Sequence, residues 1–246
     1  MVNKSEPNPN RMASLMYSAI VFDVNETLLD LRALDPVFES HFGPGNFRKE
    51  WFNELLKLAF VSTIVRSYFD FGVIGQAALE VLEKRHAKPC TEEERKSILS
   101  TMRRLPHHAD VPEGFDILKR EGFRLVTLTN STESTAQAQL THAGIRDFFE
   151  FVFSADTVKR LKPAPEPYQM VATSLGVAPD SLLMVAAHSW DIAGAIRAGF
   201  NTAFISRPGQ ILDPLTPKPA FIAQDLADLA RQIIQRGKRN AAKPRS

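Results

Sequence analysis

Polar side chains that could carry out chemistry follow four short apolar segments of this chain. Each segment is rich in β-compatible residues and ends abruptly, which is typical of buried strands whose carboxyl ends form a binding edge. A carboxylate that is buried beside a lysine and hydrogen-bond donors stays ionised and can act as a nucleophile. The residues that follow the four segments are, in chain order, Asp23, Asn25, Glu26 and Thr27; Thr129, Asn130 and Ser131; Lys162; and His188, Trp190 and Asp191.

These groups need a scaffold that brings distant parts of the chain together. The apolar segments alternate with stretches of helical length, and glycine, a common residue at helix ends, closes most of these stretches. Such alternation predicts βαβ units and an α/β fold, a Rossmann-like, doubly wound parallel sheet with helices on both faces. The expected strands are Ala19–Phe22, Arg124–Thr129, Phe151–Phe153, Leu182–Ala186 and Thr202–Ile205, and the expected helices are Glu113–Glu121, Ser134–Ala143, Pro165–Leu175 and Trp190–Ala198.

Residues 31–104 interrupt this alternation. They show no convincing strand and instead carry three helical patterns, Phe47–Phe60, Ile74–Lys84 and Thr91–Met102. We therefore expect a helical cap inserted between the first and second core strands. The predicted organisation is a mobile N-terminal leader at 1–16, a Rossmann-like catalytic core at 17–30 and 105–235, the helical cap at 31–104, and a basic, disordered tail at 236–246.

The composition excludes several classes of protein. With 246 residues, 44% hydrophobic and 24% charged, the chain has ordinary globular proportions and is neither collagen-like nor wholly disordered. The formal charge of +2 arises largely in the basic tail, so a nucleic-acid partner is not indicated. A single cysteine, Cys90, fits a reducing compartment, no apolar run is long enough for a membrane span, and no secretory signal precedes the core. We therefore expect a cytoplasmic protein with no membrane partner, and a homodimer is left open.

The polar motifs together resemble those of the haloacid dehalogenase superfamily. A single D-x-x-x-T pattern is a weak signal, but four motifs in the right order, each at a predicted strand end, are far more specific. The resemblance spans residues 19–207 and implies a cap domain where the helical insert lies. The four motifs are Phe22-Asp23-Val24-Asn25-Glu26-Thr27-Leu28, Thr129-Asn130, Lys162-Pro163 and Trp190-Asp191.

Two departures indicate which branch of the superfamily this chain resembles. The phosphatase branch has a second acid where this chain has Asn25, and paired acids that hold Mg²⁺ where Asp191 stands alone. Both departures match the branch that cleaves carbon–halogen bonds without a metal, and Arg48 and Tyr168 fall where that branch has an arginine and a tyrosine. The resemblance therefore implies an L-2-haloacid dehalogenase of type II, a hydrolase without a cofactor that uses water to convert small 2-haloalkanoic acids to 2-hydroxy acids.

The resemblance also implies a role for each residue. Asp23 would attack the α-carbon and displace the halide, which gives an ester, inverted at that carbon, that water hydrolyses. Lys162 would offset the charge of Asp23, and Asp191 would anchor Lys162. Roles in binding the halide or the substrate are implied for Arg48, Thr129, Asn130, Ser131, Trp190, Asn25, Thr27 and Tyr168.

His188 and Glu26 depart from the family's usual pattern. Where such dehalogenases usually have Ser-x-Asn-x-x-Asp, this chain has Ala186-Ala187-His188-Ser189-Trp190-Asp191, and Glu26 lies in a turn where glycine is common. A neutral imidazole can accept a proton near pH 7, and a neighbouring carboxylate can orient it. We predict that His188, aided by Glu26, activates the water that hydrolyses the ester. The alternative is an imidazole that only donates or accepts a hydrogen bond.

The sequence leaves two other functions open. The first is a Mg-dependent phosphatase of the same superfamily that acts on a small phosphomonoester and is inhibited by EDTA. The second is a binding module that keeps the scaffold without the reaction. Such a module, however, has no physical need for the set formed by Asp23, Lys162 and Asp191.

Overall fold

A six-stranded, all-parallel sheet forms the centre of the molecule in the computed structural model, which describes residues 16–241. The strand order is β3-β2-β1-β4-β5-β6. Every residue of β1, β2 and β4 is buried, because helices cover both faces of the sheet. This confirms the predicted α/β, Rossmann-like architecture. The strands are β1 (Ala19–Phe22), β2 (Leu125–Thr129), β3 (Phe151–Ser154), β4 (Leu182–Ala186), β5 (Asn201–Ile205) and β6 (Phe221–Ala223).

The order of the strands creates a crevice at the carboxyl end of β1. From β1 the chain builds β2 and β3 on one side and then β4, β5 and β6 on the other. Phe22 pairs with Thr127 of β2 and with Val185 of β4, so the residues after all three strands meet at one edge. In open parallel sheets, ligands bind at such a reversal of strand order.

Within residues 16–241, five α-helices lie between β1 and β2 in the chain, and four follow β2. The first five are α1 (Asp35–Phe42), α2 (Phe47–Ile64), α3 (Phe71–His86), α4 (Glu92–Thr101) and α5 (Val111–Arg120). The others are α6 (Glu133–His142), α7 (Pro165–Leu175), α8 (Ser189–Arg197) and α9 (Leu226–Ala241). Short 3₁₀ turns occur at Leu31–Leu34, Met102–Arg104, Arg146–Phe148, Ala155–Val158 and Pro179–Ser181. In the part of the chain that is described, no helix is long and apolar enough to span a membrane.

The helices between β1 and β2 are held by caps and by their own aromatic core. The Thr91 side chain caps α4 in a reciprocal arrangement with Glu94, which satisfies two donors at the helix start. The Trp51 indole donates a hydrogen bond to the carbonyl of Gly75 at 3.0 Å, which ties α2 to α3.

The chain ends differ in part from the predicted leader and tail. The prediction of a disordered tail is wrong for residues 236–241, because α9 continues to Ala241 and the Arg236 guanidinium lies 4.2 Å from the centre of the Phe221 ring. Residues 242–246 lie outside the described residues, as does the predicted leader up to residue 15. Met16, the last residue of that leader, packs partly against the core.

Candidate active site

Asp23 follows β1 directly and is the carboxylate on which the site is built. Its Oδ1 accepts a hydrogen bond from Lys162 Nζ at 2.9 Å, and its Oδ2 accepts one from the Thr27 hydroxyl at 2.6 Å. Burial alone would raise the pKa of Asp23, but the charges of Lys162 and His188 and the hydrogen bond from Thr27 outweigh burial and hold the pKa well below its usual range. Asp23 is therefore ionised at neutral pH, as a nucleophile must be.

Lys162 is fully buried between two carboxylates. Its Nζ lies 2.9 Å from Asp23 Oδ1 and 2.6 Å from Asp191 Oδ2. Asn130 fixes the lysine backbone, since its Oδ1 accepts from Lys162 N at 2.8 Å and its Nδ2 donates to Lys162 O at 3.3 Å. Burial lowers the pKa of Lys162, but the charges of Asp191 and Asp23 outweigh burial and raise it. The lysine is thus a permanent cation beside the nucleophile.

Asp191, in the first turn of α8, is the second carboxylate that binds the Lys162 ammonium, besides Asp23. Its Oδ1 accepts a hydrogen bond from the Tyr168 hydroxyl at 2.6 Å, so both carboxylate oxygens are occupied by donors. Burial raises the pKa of Asp191, and the charge of Lys162 offsets part of that rise. Gly194 permits this packing, because a Cβ there would lie only 2.7 Å from the Tyr168 hydroxyl and 2.7 Å from the Cβ of Pro163.

His188 lies between Asp23 and Glu26. Its Nε2 is 2.7 Å from Glu26 Oε2, and its Nδ1 is 3.6 Å from Asp23 Oδ2. The imidazole also stacks on Trp190, with ring centres 5.2 Å apart. Burial lowers the pKa of His188, but the charges of Asp23 and Glu26 and the hydrogen bond with Glu26 outweigh burial and raise it to about 9. At neutral pH this pKa keeps the imidazole protonated in the resting site, so a role as a base requires that His188 first lose this proton.

Glu26 adopts a backbone conformation that side chains rarely take. Its φ is 62°, in the left-handed region that favours glycine. Its Oε2 accepts a hydrogen bond from the side chain of Gln210 at 2.9 Å in addition to the contact with His188. The turn that follows β1 thus directs this acid toward the imidazole.

Asn25 and Ser131 are brought together where β1 and β2 end. The Asn25 amide donates to the Ser131 hydroxyl at 3.3 Å and accepts from Gln139 Nε2 at 3.1 Å. Gln139 also donates to the carbonyl of Met102 at 2.7 Å, which links α6 to the segment that leads back from the helices. Thr129 Oγ1 accepts from the backbone N–H of Ser131 at 3.2 Å.

A small cavity of about 10 Å³ lies beside Asp23. A space of this size suits about one water molecule. Residues of α2 and α3 supply an apolar wall, and the Trp190 indole N–H is buried there with no partner among the described residues. The lining residues are Asp23, Asn25, Phe52, Leu56, Phe71, Thr129, Asn130, Lys162, His188 and Trp190.

Four residues expected to bind halide or substrate do not line this cavity: Arg48, Ser131, Thr27 and Tyr168. Arg48 is not part of the cavity wall, because its Nε donates to Asp35 at 2.6 Å and its Nη1 lies 3.8 Å from Glu26 Oε1. Tyr168 and Thr27 are fully buried, and their hydroxyls are used by Asp191 and Asp23. In the described conformation these two residues therefore position the carboxylates, and direct substrate contact is not available to them.

Sequence reasoning missed Arg207, Gln139 and Gln210. Arg207 donates to the carbonyl of Thr27 at 3.0 Å and to Asp110 at 2.6 Å, which fixes the loop after β5 against the turn after β1. Its place just beyond β5 is a signal that the strand-end argument could have used. Gln139 lies within a helix and Gln210 within a loop, and neither carries a local signal.

Comparison with known proteins places this site in a family. A family model described as haloacid dehalogenase-like hydrolase matches residues 17–199. The (S)-2-haloacid dehalogenase of Pseudomonas sp. (strain YL) is 28% identical over 203 residues, which cover 81% of this chain and 87% of that protein. Haloacetate dehalogenase H-2 of Moraxella sp. (strain B) is 26% identical over 206 residues, which cover 82% and 92%.

The fold of a solved dehalogenase is also similar. The structure of L-2-haloacid dehalogenase from Xanthobacter autotrophicus with chloropropionic acid covalently bound has a TM-score of 0.82 at 23% identity, and the match covers 89% of this chain and 98% of that one. The family match covers more than half of the chain. The chain belongs to the haloacid dehalogenase-like hydrolases.

Proposed function

We propose that this hydrolase removes the halide from small 2-haloalkanoic acids and forms 2-hydroxy acids through an ester on Asp23. One observation carries the proposal: an ionised carboxylate, paired with Lys162, faces an apolar-walled cavity, and no acid stands at position 25 to protonate a leaving group. A departing halide needs no proton. The named relatives, which are (S)-2-haloacid and haloacetate dehalogenases, support this substrate class.

In the first step an oxygen of Asp23 attacks the α-carbon. The carbon–halogen bond breaks on the opposite side, and its electron pair leaves with the halide, so the carbon is inverted. The apolar side chains of Phe52, Leu56 and Phe71 exclude water from the carboxylate, which makes it a stronger nucleophile. The unpartnered indole N–H of Trp190 is available to the negative charge that develops on the halide.

The cavity must open for this step. A haloacid is larger than a space of about 10 Å³, so binding has to displace side chains of α2 and α3 from the core. The role proposed for Arg48 requires its guanidinium to leave Asp35 in the same movement. Thr129 lines the cavity at the end of β2 and donates or accepts there beside Ser131, which supports the proposal that these two residues bind the substrate carboxylate.

In the second step water attacks the ester carbonyl of Asp23. Formation of the ester removes the charge of Asp23, which is one of the two groups that raise the pKa of His188, while burial continues to lower it. His188 can then become neutral and accept a proton from the attacking water. Its Nδ1 lies on the Asp23 side of the ring, where that water must approach.

The phosphatase alternative fits the site poorly. Phosphatases of this superfamily use Mg²⁺, which prefers free carboxylate and carbonyl oxygens. Both oxygens of Asp191 accept hydrogen bonds, from Lys162 and Tyr168, and the amide oxygen of Asn25 accepts one from Gln139. Within residues 16–241, no group of three or more His, Cys, Asp or Glu side chains is placed to hold a metal ion. The residues present therefore do not fit a divalent cation.

The function is tested by supplying both substrate classes. The wild-type protein is incubated with (S)-2-chloropropionate and with an aryl phosphate, each with Mg²⁺ and with EDTA, and the release of chloride and phosphate is measured. We expect chloride release that EDTA does not change, and no release by Asp23→Asn. Phosphate release that EDTA abolishes would overturn the proposal.

A second measurement tests whether His188 is the base that activates the hydrolytic water. His188→Ala should still alkylate Asp23 and then stall, so intact-protein mass spectrometry should show a protein heavier by the propionate group. Normal turnover by this variant would refute the role of His188, as would failure to form the adduct.

We also propose a cytoplasmic location, which the single, unpaired Cys90 supports. The lack of a nucleic-acid partner, which follows from the charge distribution, and a homodimer, the commonest kind of homo-oligomer, remain part of this proposal.

A further inference from the structure

Gln139, in α6, begins a chain of hydrogen bonds that leads to the candidate active site. Its side chain is fully buried, and its Nε2 donates to two oxygens, the carbonyl of Met102 at 2.7 Å and Oδ1 of Asn25 at 3.1 Å. Asn25 in turn donates from Nδ2 to the Ser131 hydroxyl at 3.3 Å. The chain therefore runs from α6 to the turn after β1 and then to the end of β2.

The carbonyl of Met102 fixes the direction of this chain. A carbonyl only accepts hydrogen bonds, so the amide atom of Gln139 beside it has to be the nitrogen. The same nitrogen faces Asn25, whose facing atom therefore has to be the amide oxygen. The Asn25 nitrogen is then left to face Ser131, so the hydroxyl oxygen accepts and keeps its own proton for another acceptor. Among residues 16–241 no acceptor for that proton is found.

The orientation of the Gln139 amide lowers the stability of the fold. Its Oε1 is buried and has no hydrogen-bond partner among the described residues. A buried polar atom without a partner is destabilising, and an apolar side chain at position 139 would avoid this loss. The two N–H groups of the glutamine are thus the part of this side chain that its neighbours use.

Ser131 lies where the opening of the cavity would bring the substrate. Asn25 lines the small cavity beside Asp23, and Ser131 lines a neighbouring cleft of about 510 Å³. Phe71, the first residue of α3, lines both spaces, so a movement of this helix would join them. The proposed function requires such a movement, because a haloacid is larger than the cavity.

We propose that Gln139 is a positioning residue for the substrate carboxylate: it fixes the Asn25 amide, so that the Ser131 hydroxyl donates to that carboxylate. This inference rests on the proposed function, in which Ser131 binds the carboxylate. An ionised carboxylate only accepts hydrogen bonds, so a hydroxyl whose proton went to Asn25 would not bind it. Reversal of the chain should therefore weaken substrate binding and leave the attack by Asp23 intact.

The test is Gln139→Glu, which keeps the shape of the side chain and removes its two N–H groups. A carboxyl group has at most one proton, and the carbonyl of Met102, which cannot turn, takes it. The Asn25 amide should then turn, present its oxygen to Ser131 and accept the hydroxyl proton. The KM for (S)-2-chloropropionate should rise by roughly 10-fold or more, because a hydrogen bond to a charged group is lost, and kcat should change by less than about 2-fold. The inhibition constant of propionate, which has the carboxylate but no halogen, should rise by the same factor.

Two controls locate the effect. Gln137→Glu makes the same chemical change two residues earlier in α6, where the side chain accepts a hydrogen bond from Arg146 Nε, and it should leave KM unchanged. Ser131→Ala removes the hydroxyl at the end of the chain. Addition of Gln139→Glu to Ser131→Ala should change KM by less than about 2-fold, because there is no longer a hydroxyl proton to withdraw.

The outcomes separate this role from the proposed function. An equal rise in KM with and without the Ser131 hydroxyl would overturn the proposal, because Gln139 would then act only by packing. A wild-type KM for Gln139→Glu, or a fall in kcat with KM unchanged, would overturn it too, and the dehalogenase function would stand. If the wild-type protein releases no chloride, the proposed function fails, and the role of Gln139 fails with it.

A second variant covers the case in which Gln139→Glu does not fold. Gln139→Met is apolar and of similar length, so it leaves the Asn25 amide free to turn. It should still raise KM, and only in the protein that has the Ser131 hydroxyl. An unchanged KM would overturn the proposal.

Discussion

The charge on His188 predicts that the folded protein loses stability as the pH rises past neutral. In the folded state the pKa of His188 is about 9, against an ordinary value of 6.5. A group whose pKa is higher in the folded state binds its proton more tightly there, so its stabilising contribution is complete below pH 6.5 and is lost as the pH rises through 9. Each pKa unit corresponds to about 1.4 kcal/mol, so the contribution is about 3 kcal/mol.

The measurement is the free energy of unfolding in urea for the wild type and for His188→Asn. Asparagine is polar and does not titrate, so the variant should lack this pH dependence, and the difference between the two proteins removes the effect of other groups. We expect the wild type to lose about 3 kcal/mol more than the variant between pH 6.5 and a pH above 9. His142→Asn, at an exposed position of α6, should behave as the wild type.

Equal pH dependence of the wild type and His188→Asn would refute the reasoning. It would mean that the imidazole is neutral in the folded state. The statement that His188 is a cation in the resting site would then be wrong.

Two further predictions concern the neighbouring cations. Lys162→Met should abolish turnover and lower the free energy of unfolding in urea by about 3–5 kcal/mol, because Asp23 and Asp191 lose the positive charge between them. An unchanged unfolding midpoint would contradict this prediction. Arg48→Lys should lower kcat/KM for (S)-2-chloropropionate by roughly 10-fold or more, because one charged hydrogen bond to the substrate is lost, and should change the melting temperature little. A full kcat/KM would show that Arg48 stays with Asp35 and does not bind the substrate.

Much of the fold could be predicted because its strands are buried on both faces. β1 and β4 occupy the predicted residues, since continuous apolar runs bounded by polar residues define them. β6 was missed because three residues are too few to show a pattern. α9 was missed because its second half is as basic as a disordered tail. Its first half, however, carries Leu226, Leu229, Ala230 and Ile233 at helical spacing, which is a usable signal.

The site was predictable to the extent that strand ends determine it. Asp23, Lys162 and Asp191 meet because parallel strands end at one edge, and that rule needs no side-chain detail. Arg48 lies at the predicted start of a helix, but its direction depends on Asp35 in another helix, which no local pattern reveals. The charge of His188 likewise depends on two carboxylates on the same strand-end turn and on complete burial, which only the packed structure shows.

The left-handed backbone at Glu26 is a local strain that the contacts of its side chain must offset. A side chain in that conformation costs roughly 1 kcal/mol that glycine does not. Glycine, however, would also remove the carboxylate that pairs with the buried His188 and accepts a hydrogen bond from Gln210. Engineering this chain for durability should therefore leave position 26 untouched, although its backbone conformation alone favours glycine.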